Sequence, residues 1–190
     1  KILRLDCGIS DFPFMVDLER GKLYIEKRLQ AISAFYPELF KLVGSPVVEA
    51  VNFDQNSHWQ LRLRYDIPLK MCHSYHPLKP KTEQAVVQGG LLGGVLDNAL
   101  TMGFELLTSG RFGTTLNMAT EFLQPTRPGP NFAQVTVTRT GAQVGFAKVT
   151  LFSDKDCTNA VATGSCTAKL RKPGTASAKP NRLQELASKL

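Results

Sequence analysis

No run of eighteen apolar residues occurs anywhere in the 190 residues, so no segment reads as a membrane-spanning helix. Cysteine is sparse. Cys7, Cys72, Cys157 and Cys166 never fall in CxxC spacing, which speaks against a disulfide framework and for free thiols in a reducing compartment. Histidine stops at His76, the last of three. Cys72, His73 and His76 stand together in "MCHSYHP", but no second cluster completes a zinc set, so no metal and no cofactor is expected. His58, beside Trp59, reads as packing or surface. There is no internal repeat. The net charge is +7, yet the densest basic clusters are only "KPK" at 79–81 and "KLRK" at 169–172. No recognition helix, zinc finger or aromatic RNA-binding signature accompanies them, so nucleic acid is not an expected partner.

What is present suits one domain with attached ends. Hydrophobic residues make up 43% and charged residues 21%, an ordinary globular balance. The positive excess favours a partner bearing phosphate or another anion. Residues 14–43 carry Leu18, Leu23, Ile25, Leu29, Ile32, Phe35, Leu39 and Leu42 at helical intervals, broken by Gly21 and Pro37. Gly44 and Pro46 end that region. Residues 47–53 and 58–65 read as a hairpin of two strands. A long loop is expected over 66–84, then a helix from 86 to about 109. Strands are expected at 113–123, 131–139, 143–153 and 159–170, and their regular spacing reads as a meander. Residues 171–180 have linker composition.

The helix is the unusual element. "VVQGGLLGGVLDNALTMGF" is apolar nearly all round, holds five glycines and has one acid, Asp97. At 100° per residue Leu92, Val95, Leu96, Ala99, Met102 and Leu106 form one face, suited to lie on a sheet. Gly90, Gly94, Asp97 and Thr101 form the opposite stripe, where small residues admit another backbone, subunit or ligand. Gly89 and Gly90 sit where the helix begins. Its first N–H groups lack internal partners and carry partial positive charge, as an oxyanion hole requires. A carboxylate beside such a carbonyl can act as nucleophile or, through water, as general base. Thr101, one turn on, is placed to orient it. The competing interpretation is a partly solvated polar stretch, Asp97-Asn98, with glycines that merely ease packing.

"VVQGGLLGGVLDNALTMG" resembles the signature of hotdog-fold acyl-CoA thioesterases, in their phenylacetate-pathway and thioesterase-superfamily-member branch. That signature is His-Gly-Gly, six residues, then Asp; Gln88-Gly89-Gly90 and Asp97 stand in those positions. "TTLNMATEFLQPTRPG" is similar to the family's next strand and exit turn, and "GAQVGFAKVTLFSDKDCTNAVATGSCTA" to its last two strands. The resemblance implies an α+β hotdog domain over 46–170, an antiparallel sheet of about six strands wrapped around one central helix. An N-terminal helical extension (1–45) and a tail (171–190) flank it. It implies that Gly89 N–H polarises the thioester carbonyl. Asp97 is then base or nucleophile, reaching across from one subunit to substrate held by the other. Thr115, or its neighbour Thr114, would hold the attacking water, and Thr101 would be an orienting hydroxyl. Gln88 replaces the usual histidine, and Thr82 replaces an asparagine among the loop contacts that, with Gly90, line the substrate.

Hydrolysis of an acyl-CoA to free acid and CoA is therefore the expected activity, with Arg127, Arg171 and Lys172 as candidates for the CoA phosphates. A non-catalytic acyl-CoA or lipid-binding hotdog is the alternative. A hydratase of the same fold needs a catalytic histidine near the acid, and none follows His76. The resemblance further implies a homodimer or homotetramer with the site at the subunit interface. The terminal Ser188-Lys189-Leu190 reads as a peroxisomal address, making the import receptor an expected partner.

Overall fold

Alternation of apolar and polar side chains builds the strands. The computed structural model describes residues 26, 29, 40, 41, 43–53, 58–73, 85–108 and 110–172. In β2 (Trp59–Ile67), Leu61, Leu63, Tyr65 and Ile67 are buried on one face while Gln60, Arg62, Arg64 and Asp66 line the other. β1 (Val47–Phe53) pairs with it antiparallel, as the hairpin expectation requires. A 3-10 turn (Leu69–Met71) and two-residue strands β3 (Cys72–His73) and β4 (Val86–Val87) follow. Then come the helix α1 (Gly89–Leu107) and β5 (Phe112–Phe122), β6 (Gly129–Thr140), β7 (Val144–Phe152) and β8 (Ala160–Leu170).

The large sheet has the order β1-β2-β6-β7-β8-β5, with every pairing antiparallel. Only β6–β7–β8 is a meander. β5 pairs with β8 and not with β6, which corrects the four-strand meander expected from spacing. The cause is the connection after β5. Pro125 and Pro128 stand in it and Pro130 opens β6, so two residues cannot turn the chain back as a tight hairpin. The chain instead crosses to the far side of β7–β8.

Two further boundaries differ from expectation. The loop 66–84 is partly structured, because β2 runs on to Ile67 and Cys72–His73 pairs with Val86–Val87. The helix starts at Gly89, three residues later than expected. The β-branched pair Val86-Val87 prefers a strand, and Gln88 caps the helix with its Oε1 accepting from Leu91 N at 2.9 Å. At the other end Gly110, with φ 78°, accepts the left-handed turn and donates to Glu105 O.

The helix lies on β2, β5, β6, β7 and β8. All six residues of its expected sheet face are buried, and so are Asn98, Leu100, Phe104 and Leu107. The contact with the sheet is close at Gly103, where an added Cβ would meet Val135 Cγ1 at 2.4 Å. Leu29, Phe40 and Val43, all helical, join the same core. Phe40 and Val43 were not in the expected apolar series. Cys7, His76, Thr82 and the terminal Ser188-Lys189-Leu190 lie outside the described residues. Among the described residues, no helix is long and apolar enough to cross a membrane.

Candidate active site

Asp97 is half-buried on the stripe of α1 that the sheet leaves uncovered. Thr115 Oγ1, on β5, donates to Asp97 Oδ1 at 3.0 Å. Thr101 makes no hydrogen bond with the carboxylate, so the orienting hydroxyl comes from the strand and not from the next helical turn. Thr114, exposed, has its hydroxyl near only its neighbour's carbonyl, Thr115 O, at 3.5 Å.

β5 delivers Thr115 by an irregular route. Its register against β8 shifts between Phe112 and Thr114 and again between Thr115 and Asn117. Gly113 and Leu116 are therefore extra residues on either side of Thr114-Thr115, the pattern of β-bulges that re-aim a strand. A Cβ at Gly113 would press on Lys169 O at 2.9 Å. Past the second bulge Met118 pairs with Cys166, Thr120 with Gly164 and Phe122 with Ala162. All of these stand on the helix-facing side with Thr115 and Ala168.

Two polar features adjoin the acid. Asn98 is only 4% exposed, and Tyr65 Oη donates to its Oδ1 at 2.7 Å. Its Nδ2 has no protein partner. Burial raises the Tyr65 hydroxyl far above its ordinary range, so it stays a donor. Cys166, buried on β8, has its thiol pushed up to about 12, first by burial and then by the Asp97 charge. It is a neutral thiol at any physiological pH.

The helix start is held from two sides. Gln88 N donates to Met71 O and Val87 N to Thr126 O. Arg127 Nη1 donates to Ala85 O at 3.0 Å, so its guanidinium braces the approach to the helix. Arg171 and Lys172 are exposed just after β8. Gly89 lies under the Phe122 ring, whose nearest atom would be 3.4 Å from an added Cβ. Gly90's neighbour is its own cap, Gln88. Around Gly93 and Gly94 an added Cβ would meet nothing within 4 Å.

The helix also sets a spacing. Eight residues separate Gly89 from Asp97, a rise of about 12 Å. A carbonyl hydrogen-bonded to the first lies beyond attack by the second on the same helix.

This sheet order around one buried helix has counterparts. Residues 78–167 match the family described as the acyl-CoA thioesterase N-terminal domain. The chain has the hotdog fold, one antiparallel sheet on one central helix. A phenylacetic acid degradation-related protein of Ralstonia eutropha is 24% identical, covers 77% of this chain and 98% of its own, and superposes with a TM-score of 0.53. Thioesterase superfamily member 2 of Mus musculus is 15% identical over 78% of this chain and 96% of its own, TM-score 0.56. A hypothetical thioesterase of Streptococcus pneumoniae, solved with coenzyme A, is 12% identical over 74% of this chain and 97% of its own, TM-score 0.56. At such identities the likeness is one of fold, and the chemistry must be argued from the site. No curated protein matches this one.

Phe122, Gly93, Asn98 with Tyr65, and Cys166 were not singled out from sequence. For Phe122 a signal existed in the alternation of β5, but the bulge at Leu116 reverses the phase and hides it.

Proposed function

We propose that this hotdog protein hydrolyses an acyl-CoA thioester to a free acid and CoA. The observation that carries this is Asp97, held by Thr115 on the uncovered stripe of a helix whose first amides open at Gly89. The Gly89 N–H donates to the thioester carbonyl oxygen, which gains negative charge as a tetrahedral centre forms. Asp97 takes a proton from water, and the water oxygen bonds to the carbonyl carbon. The carbon–sulfur bond then breaks, the proton passes to the CoA sulfur, and the acid leaves. The alternative order, attack by Asp97 itself followed by hydrolysis of the anhydride, has the same balance. Thr115 fixes the carboxylate in both. Support for CoA as carrier is the net positive charge, the exposed Arg171 and Lys172, and a fold neighbour solved with coenzyme A.

The 12 Å rise along the helix supports a site whose two halves come from two copies: Gly89 of one and Asp97 of the other. A homodimer, or a tetramer built from dimers, is thus part of the proposal.

The test is thiol release from a panel of acyl-CoAs by the parent chain and by Asp97→Asn. Loss of turnover between about a hundredfold and ten-thousandfold in the variant, with unchanged melting temperature, is expected. Equal release by both proteins excludes Asp97 as the reactive group. Tight binding with no release from the parent chain makes this an acyl-CoA-binding protein.

A further inference from the structure

We propose that Phe122 selects the acyl group. This rests on the reading above only in placing the thioester carbonyl at Gly89 N–H.

Phe122 is a large apolar side chain on the inner face of β5, in line with Thr115 and Met118. Inner-face side chains elsewhere on the neighbouring strand are buried: Ala162, Cys166 and Ala168 are at most 6% exposed. Phe122 is 51% exposed, and Leu123 beside it is 51% exposed too. The reason is local. The ring lies over Gly89, which has no side chain to cover it, and the helix begins there. The inner face of the sheet thus ends in an open aromatic face at the amide proposed to bind the carbonyl. Any group attached to that carbonyl meets the ring.

The ring has no hydrogen-bonding atom and favours hydrocarbon. Of the two groups flanking a thioester carbon, the acyl group is hydrocarbon at its first carbons, whereas the CoA arm carries amides and phosphates. Among the described residues, Arg127 near the helix start has its Nη1 engaged with Ala85 O. The acyl group therefore packs on Phe122.

Equilibrium titration separates this from turnover. The full chain carrying Asp97→Asn is titrated with free CoA, acetyl-CoA and octanoyl-CoA, then again with Phe122→Ala or Phe122→Leu added. The expected result is that Phe122→Ala lowers the octanoyl-CoA to free-CoA affinity ratio about tenfold, the scale of apolar discrimination in a pocket. Phe122→Leu restores most of that ratio, and it keeps the test usable where the alanine variant does not fold. An unchanged ratio overturns the proposal. So does equal weakening of free CoA and octanoyl-CoA, which would put the ring against the CoA arm. Absence of binding by every ligand overturns it as well. Turnover by the parent chain is measured alongside. Chain-dependent binding through Phe122 without turnover ends the hydrolysis reading and leaves Phe122 in its role.

Discussion

Asp97 has its one described hydrogen bond from a residue eighteen positions later in the chain, and its neighbour Asn98 has its own from a tyrosine thirty-three positions earlier. Two adjacent polar residues on an apolar helix are thus anchored to opposite parts of the sheet. A buried donor or acceptor left without a partner costs about 1–3 kcal/mol. Tyr65→Phe would leave both ends of the Asn98 amide unpaired, so it is expected to destabilise the fold by roughly that amount. Adding Asn98→Leu removes the stranded amide, and the double variant is expected to recover part of the loss, read as a non-additive cycle in denaturant unfolding. Strict additivity would show that the pair is not coupled. The acid itself was legible from its place seven residues after Gly90. Its true partner was not, because Thr101 is near in sequence while Thr115 reaches it only through the β5 pairing.

At the scale of the element, the helix uses its glycines in two opposed ways. Gly103 is required by packing, since a Cβ there would overlap Val135. Gly93 and Gly94 border open space. Alanine favours a helix over glycine by about 1 kcal/mol, whereas overpacking costs about 1–3 kcal/mol. Gly103→Ala is therefore expected to lower the melting temperature. Gly93→Ala is expected to raise it while lowering kcat/KM, because the methyl group enters open space one helical turn before Asp97. A Gly93→Ala variant that gains stability and keeps full kcat/KM would show that substrate does not use this space. The amphipathic phase of the helix and the existence of all six large strands were readable from periodicity. The start of the helix was not: Val86-Val87 continues the apolar run, and only pairing with Cys72–His73 reveals them as a strand. The bulges that set Thr115 were equally hidden, since an extra residue leaves no mark in composition.

For the whole molecule, the outer strands of the sheet among the described residues are β1 and β5. The β5 edge shows Leu116, 56% exposed, next to the bulge that frames Thr115. Long unpaired edges invite another strand. If Asp97 serves a substrate held by a second copy, two inactive variants should repair each other. Asp97→Asn and Gly89→Val, unfolded together and refolded as a mixture, are expected to regain about a quarter of the parent activity. Half of the random dimers are then mixed, and each mixed dimer has one intact site. Each variant refolded alone is expected to stay inactive. No recovery, with mixed dimers confirmed by sedimentation or mass spectrometry, would place both groups in one subunit.

The position of β5 at the end of the sheet also orders events in time. β5 is made before β6, β7 and β8, yet its strand partner among the described residues is β8, whose last residue is Leu170. Pairings this distant in sequence form late, after closure of the intervening chain. As the polypeptide emerges from the ribosome, the helix with its acid is complete long before Thr115 can be brought to it. A nascent or truncated chain lacking β8 would therefore display an apolar helix and a free strand edge with no assembled site. The contact between Thr115 and Asp97 arrives with β8, and the interval before it is when the protein is most exposed to misassembly.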